Sequence, residues 1–459
     1  MKNELPVKLG ETYRFKIDRL TDSAEGVAKI DGFTVFVPKA LPGETVMGKI
    51  DLVKKNYARA KLTAIEKESK DRIKPRCELY DSCGGCQLQQ LTYESQCKMK
   101  KAQVEDALNH IGGFADIPVE DTLGAAEPWY YRNKMQFPVG KARGTIKIGC
   151  YEQGTHNIID TPHCYIQNDG NNVIAASMRE AIKRFNISVY DENTHTGCLR
   201  HVMGRIGKNN EAMVVLITAT KRLENDKALV KFLRDRIPNL VSVHHNIQTY
   251  HNNVVLGRET KLLWGKSTID DNIGSYVYHI SPRSFFQVNT AQATVLYKKV
   301  REFAGLTGKE TVIDAYCGTG TISLFLAKKA KKVYGIEIVS PAIADAKKNA
   351  RDNNIRNAEF IVGDATVLMP KLYREGIEPQ VIVIDPPRAG ATPEVLDTMA
   401  KLNPDRIVYV SCNPATLARD LAILVPKGYR IEKVQPVDMF PQTMHVESVA
   451  LITRSKAPQ

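Results

Sequence analysis

Apolar residues fall in three different rhythms along this chain. Through residues 1–66 they alternate with polar ones in short runs, "ETYRFKIDRL", "EGVAKIDGFTVFVP" and "ETVMGKIDLVKKNYARAKLTAIE", interrupted by Gly and Pro. A period of two with such interruptions predicts short strands closing into a small β-barrel. From about 70 to 280 helical periodicity in "YESQCKMKKAQVEDALNHI", "NNVIAASMREAIKRF" and "DKALVKFLRDRI" is interleaved with strand-like "EPWYYRNKMQFPVG", "EAMVVLITA" and "LVSVHHNI". Beyond 280 apolar runs alternate with amphipathic helices as far as 435, the signature of βαβ units on a parallel sheet. The last run, "HVESVALITR", pairs antiparallel with "YRIEKVQPVDMF" across a short loop. The expected organisation is a barrel at 1–66, an α+β central domain at 67–280 and a Rossmann-like α/β domain at 281–459, with part of 93–125 packing on the last.

Bulk composition adds two constraints. The 459 residues are 43% hydrophobic and 25% charged, ordinary for a soluble globular protein, and no apolar run reaches the roughly eighteen residues of a membrane span. The start, "MKNELPVKLG", has no apolar signal core, so a cytoplasmic protein without a membrane partner is expected. Lys and Arg number 64 against 51 Asp and Glu, a net charge of +13 that suits a polyanionic partner. Nine cysteines in a chain of this class point to metal or catalytic use of a subset.

In "VIDAYCGTGTISLFLA", Asp314 ends a strand and Gly318 and Gly320 form the turn into a helix. Glycines there let the backbone approach a ligand, and the helix start offers free N–H groups. Ser323 stands where a dinucleotide-binding motif has its third glycine. Glu337 ends the next strand, where a carboxylate can accept both hydroxyls of a ribose. Asp364 in "FIVGDAT" and Asp385 in "VIVIDPPRAG" end two more. A crevice lined by acids repels a pyrophosphate and suits the sulfonium cation of S-adenosylmethionine, which carries no phosphate.

The stretch "VYVSCNPATLARD" delivers Cys412 to the end of a strand and stops it with Asn413-Pro414. A buried cysteine needs no such placement, whereas a nucleophile does. Asp385-Pro-Pro-Arg388 resembles the Asn/Asp-Pro-Pro-aromatic motif of amino-methyltransferases, with Arg388 in place of the aromatic. A thiolate suits different chemistry. Carbon 5 of uracil is a poor nucleophile until a thiolate adds at carbon 6, after which a base must remove the carbon 5 proton. Glu447 in "FPQTMHVESVALI" is the candidate base, and its alternative role is that of a surface carboxylate.

Together "SPRSFFQVN", "DAYCGTGT", "GIEIV", "DPPRAG", "SCNPATLARD" and "FPQTMHVE" resemble, in order across residues 281–447, the motifs of the RNA uracil-C5 methyltransferase family. The resemblance implies a class I methyltransferase fold, Cys412 as nucleophile and Glu447 as base. It also implies S-adenosylmethionine contacts from Gln287, Tyr316, Glu337, Asp364 and Asp385, and from the turn holding Gly318, Gly320 and Thr321. Phe285 would lie near a flipped base, with Arg388 also facing RNA.

Cys77-x5-Cys83-x2-Cys86 needs a fourth ligand, and its spacing alone leaves zinc and an iron–sulfur cluster both open. The family resemblance implies a [4Fe-4S] cluster completed by Cys164 in "IDTPHCYIQ", with Cys97 as the rival. Radical methylthiotransferases, which use Cys-x3-Cys-x2-Cys, differ in the first spacing. The barrel resembles a TRAM domain, an RNA-binding module, and its basic last strand presents Lys55, Tyr57 and Arg59. In "WYYRNKMQF", Arg132 and Lys134 suit phosphate contact, with Tyr131 or Phe137 for stacking.

The expected function is therefore S-adenosylmethionine-dependent uracil-C5 methylation of 23S rRNA by a monomer. A transfer-RNA uracil-C5 methyltransferase and an amino-methyltransferase are the enzymatic alternatives. A non-catalytic RNA chaperone would have no need of Cys412, Glu447, Glu337 and Asp385 together. Which uridines are targets is not written in these residues.

Overall fold

The computed structural model describes residues 5–142 and 144–455. At its front, six strands form one sheet in the order Thr12–Lys16, Thr45–Val53, Tyr57–Lys67, Phe33–Pro38, Glu25–Ile30, Arg19–Leu20. The strand Tyr57–Lys67 shows why it forms: Ala58 and Ala60 are buried against Phe15, Val35 and Ile50, while Tyr57, Arg59 and Lys61 stay exposed. Glu44, fully buried, pairs with Arg72 at 2.5 Å and ties the barrel to the segment that follows it.

The middle of the chain builds a seven-stranded mixed sheet, ordered Glu259–Gly265, Leu240–Ile247, Ala212–Thr218, Leu199–Ile206, Lys134–Ala142, Thr145–Tyr151, Ile158–Asp160. Helices Asp169–Arg184 and Asp226–Arg236 bury Ile174, Met178, Leu229 and Leu233 against it.

The last unit is a second seven-stranded sheet. Five parallel strands, Ala358–Val362, Lys332–Glu337, Thr311–Ala315, Val381–Ile384 and Arg406–Ser411, are followed by the antiparallel pair Glu447–Arg454 and Tyr429–Val437. Parallel strands covered by helices on both faces are apolar throughout, as Val381–Ile384 illustrates with four buried residues.

Two segments from outside 281–459 share this core. The hairpin Ile269–Ile273 and Tyr276–Ile280 buries Ile269, Ile273 and Tyr278 with Leu296 and Phe325, so the structural unit begins before residue 281. Helix Tyr93–His110 buries Val104 and Leu108 with Leu417 and Leu421. Just after it, the N–H groups of Glu120 and Leu123 donate to Val434 and Pro436 at 2.9 and 3.0 Å. Among the described residues no helix is long and apolar enough to cross a membrane.

Candidate active site

All five parallel strands present their carboxyl ends to one rim, where open α/β sheets bind ligands. A cavity of about 1090 Å³ opens there, lined among others by Gln287, Tyr316, Glu337, Asp385, Cys412 and Glu447. Strand Arg406–Ser411 ends just before Cys412. Asn413 then caps helix Pro414–Leu424, its side chain accepting from the Ala415 N–H at 3.1 Å, and Pro414 supplies the preformed first turn. The thiol is thus held on a short junction between two rigid elements.

Glu447 reaches Cys412 through strand pairing. Strand Glu447–Arg454 runs antiparallel to Arg406–Ser411 with Ser448 opposite Ser411, so the first residue of one lies beside the residue that follows the other. The two groups feel each other. Burial, then the Glu447 and Asp385 carboxylates, push the Cys412 thiol up to about 11, and Arg388 pulls it down. Glu447 is pushed up to about 8, chiefly by burial and further by Asp385, again opposed by Arg388. Asp385 is raised to about 7 by burial.

Arg388 itself is exposed at the rim and donates from Nη2 to His445 Nδ1 at 2.8 Å. Burial and the neighbouring cations Arg388, Lys100 and Arg132 hold His445 down at about 4, so its imidazole is neutral. The ring serves as an acceptor that joins the two loops flanking Cys412.

The glycine turn is built for close approach. Gly318 and Gly320 have φ of 54° and 79°, and a Cβ on Gly320 would stand 2.9 Å from the Phe360 ring. The Glu337 carboxylate is held by the N–H groups of Gly318 and Val339 at 3.3 and 2.9 Å. Gln287 Nε2 and Thr321 Oγ1 both donate to the buried Tyr297 hydroxyl, at 3.3 and 3.2 Å. Tyr297 was not singled out from sequence, where it reads as a core position of the helix Thr290–Ala304.

Two acids of the expected crevice take other positions. Asp314 is fully buried beneath the turn, accepts from Ser323 Oγ at 2.5 Å and is pushed up to about 7 by burial. Ser323 replaces a glycine here because its hydroxyl partners this carboxyl. Asp364 caps helix Ala365–Arg374, accepting from the Thr366 N–H at 2.7 Å, and stands near Tyr316 outside the cavity lining. Gly320 also lies behind the lining, packed on Phe360. Phe285 is 73% exposed at the mouth, on a loop held by Arg205, whose Nη2 donates to the Ser284 carbonyl at 2.6 Å.

A second, smaller cavity of about 340 Å³ gathers Cys77, Cys83, Cys86 and Cys164, together with Cys150, which sequence reasoning did not select. Cys150 lies on strand Thr145–Tyr151, and its sulfur and that of Cys83 both stand against Gly85. Cys97 lies elsewhere, against Tyr93 and Gly124. Among the described residues no three His, Cys, Asp or Glu side chains are arranged to hold a metal ion. Lys134 lines this cavity, half-buried, and Arg132 lines both cavities. Phe137 is 3% exposed and packed inward, so its ring is not open for stacking, whereas Tyr131 is half-buried with its hydroxyl donating to the Pro441 carbonyl at 3.0 Å. On the barrel, Lys55 and Tyr57 are exposed, and Arg59 pairs with Asp51 at 3.0 Å.

This arrangement has close counterparts. A family model described as tRNA (uracil-5-)-methyltransferase matches residues 208–455, and a TRAM domain matches residues 6–63. An RNA methyltransferase of Clostridium tetani is 48% identical over 454 residues, 99% of this chain and 98% of that one. One of Halalkalibacterium halodurans is 48% identical over 452 residues, covering 98% and 99%. Among solved structures, the Pyrococcus abyssi tRNA (uracil-54, C5)-methyltransferase in complex with S-adenosyl-L-homocysteine aligns with a TM-score of 0.78 and 29% identity, over 96% of this chain and 99% of that one. With a TRAM barrel in front and the thiol-bearing α/β domain behind, the chain belongs to the RNA uracil-5 methyltransferase family.

Proposed function

We propose that this protein transfers a methyl group from S-adenosylmethionine to carbon 5 of uridine in 23S rRNA, through a covalent bond between Cys412 and carbon 6 of the base. The pairing that sets Glu447 beside Cys412 on one cavity carries this reading. Cys412, as thiolate, adds to carbon 6 and the ring becomes an enolate. Carbon 5 then forms a bond to the methyl carbon as that carbon's bond to sulfur breaks, releasing S-adenosylhomocysteine. The Glu447 carboxylate takes the carbon 5 proton, the ring double bond re-forms, and Cys412 leaves as thiolate. A carboxyl raised to about 8 is a strong base for its type once ionised. Arg388 favours the anionic form of both groups.

For the methyl donor, Glu337 is already oriented towards a ribose by two backbone N–H groups. Asp385 offers a carboxylate to the sulfonium. Tyr297 fixes Gln287 and Thr321 on the cavity wall.

Transfer RNA is the competing substrate, because the solved relative that modifies tRNA spans 96% of this chain and the barrel alone does not separate the two. The test is a covalent trap. RNA substituted with 5-fluorouracil cannot lose its carbon 5 substituent as a proton, so the enzyme stalls bonded to it. An adduct with rRNA, absent in Cys412→Ala, supports the proposal. An adduct only with tRNA keeps the chemistry and changes the substrate. No adduct with either, from protein that binds both cofactor and RNA, overturns it.

For the smaller cavity we propose a [4Fe-4S] cluster on Cys77, Cys83, Cys86 and Cys164, which line it together with Cys150. Zinc on the same thiols is the alternative. Lys134 and Arg132 line the same cavity. When bound, the cluster would cross-link the two cysteine-bearing loops. Anaerobically purified protein that contains zinc and no iron would overturn this assignment.

A further inference from the structure

Next to the cysteine cavity, four aromatic rings and one guanidinium form a patch that no step above uses. The Arg76 guanidinium lies 5.3, 5.2 and 4.6 Å from the ring centres of Trp129, Tyr130 and Tyr165. Tyr165 and Tyr130 in turn meet His163 edge-on, with ring centres 4.7 and 6.0 Å apart. Arg76 and His163 are exposed, and Trp129, Tyr130 and Tyr165 are half-buried. Tyr130 adopts a left-handed backbone, φ 54°, which strains a residue with a Cβ. The Tyr130 N–H donates to the Tyr165 carbonyl at 2.8 Å and secures the two aromatic loops to each other.

The patch connects to the active site through two residues. Tyr131, next in the chain, bonds the Pro441 carbonyl in the loop that leads to Glu447, and Arg132 lines the catalytic cavity. Three consecutive residues span at most about 10 Å, so the patch begins within one or two nucleotides' reach of the site. Its chemistry fits single-stranded nucleic acid: aromatic and guanidinium planes stack on bases of any sequence, and the cation answers the phosphates. The chain's net charge of +13 draws a polyanion to it.

We propose that Arg76, Trp129, Tyr130, His163 and Tyr165 form a stacking platform for nucleotides that flank the target uridine in the RNA. This rests on the RNA-methylating reading above and adds where the substrate strand is gripped outside the catalytic cavity. Of the two rings expected from sequence to stack, Phe137 is buried and Tyr131 is half-buried with its hydroxyl engaged by Pro441.

Trp129 makes the test direct, because the chain has only two tryptophans. With Trp264→Phe as background, Trp129 is the sole indole of the full-length protein. Titration with a single-stranded RNA dodecamer quenches its emission with the midpoint that fluorescence anisotropy of labelled RNA reports. In the parent background, Trp129→Ala and Arg76→Ala each weaken RNA binding and raise the KM for RNA about ten-fold, with kcat and S-adenosylhomocysteine affinity unchanged. Trp129→Phe, which keeps a ring, restores most of the affinity. If RNA binds without altering Trp129 emission and both alanine variants lose only melting temperature, the patch is an internal clamp for the cysteine loops and the proposal fails. Quenching together with no adduct in the 5-fluorouracil trap would keep the platform and overturn the uracil-C5 reading instead.

Discussion

Lys100 and Asp438, 338 positions apart in the chain, meet as an ion pair at 2.5 Å with both side chains fully buried. Asp438 also accepts from the Tyr93 hydroxyl at 2.9 Å and from the Phe440 N–H at 3.1 Å. One turn away, Gln96 and Gln442 exchange two bonds at 3.0 Å: the Gln442 backbone N–H to Gln96 Oε1, and Gln96 Nε2 to Gln442 Oε1. The Gln442 carbonyl meanwhile takes the N–H groups of Gln87 and Leu88, which follow Cys86. Helix Tyr93–His110 and the cysteine loop therefore grip the 438–446 loop that delivers Glu447. Lys100→Met should cost about 3–5 kcal/mol, since it leaves a buried carboxylate without its partner. Pairing it with Asp438→Leu should recover much of that loss in a denaturant titration. The single variant should also hold its RNA adduct longer, because the base-bearing loop is less well placed.

Glu447→Gln should separate the two halves of the reaction. Cys412 still adds to the base and methyl transfer proceeds, but the carbon 5 proton has no acceptor, so methylated RNA stays bonded to the protein. Turnover should fall by about 10²- to 10⁴-fold, the usual contribution of a positioned base. A denaturing gel with unsubstituted RNA should show the adduct in this variant and not in the parent. If turnover persists without adduct, the base is elsewhere.

The pH profile follows from the same carboxylates. A thiol raised to about 11 is protonated at neutral pH, so adduct formation in the free site should accelerate as pH rises. Arg388→Gln removes the cation that opposes this shift and should move the profile to higher pH. Stability runs the other way. Glu447 has a folded value near 8 against an ordinary 4.5, so the folded protein binds the extra proton in between and loses stability as pH climbs through that window. Glu447→Gln should match the parent below about pH 4 and be more stable by up to a few kcal/mol above pH 8. Thermal melts across that range check the sign.

Tyr297→Phe should weaken S-adenosylhomocysteine binding by about ten-fold, as expected for one lost hydrogen-bond hub worth about 1 kcal/mol or somewhat more. The packing of its ring against Phe325 is kept, so the melting temperature should change little. Calorimetric titration reads the first effect and a thermal scan the second.

Much of this site could be read along the chain because parallel strands are local signals. Each apolar run followed by a polar turn announces a strand end, and strand ends of a βαβ sheet share one rim. Glu337, Asp385 and Cys412 are therefore legible one at a time. Asp314 shows the limit of that logic: the same pattern places it at a strand end, yet whether its carboxyl faces ligand or Ser323 depends on the turn above it.

Long-range pairing decided the rest. The nearness of Glu447 to Cys412 depends on Ser448 lying opposite Ser411, across 36 intervening residues. In strand Lys134–Ala142, register against Leu199–Ile206 turns Phe137 into the core and Lys134 towards the cysteines, while the rings just before it stay half-buried. Cys150 joins the other four thiols only because its strand is laid beside Lys134–Ala142. Residue chemistry and strand ends were determined by the sequence itself, since both are local. Which side chains face one another was decided by the tertiary structure, because with a side-chain period of two a single step of register exchanges every residue between the two faces of a sheet.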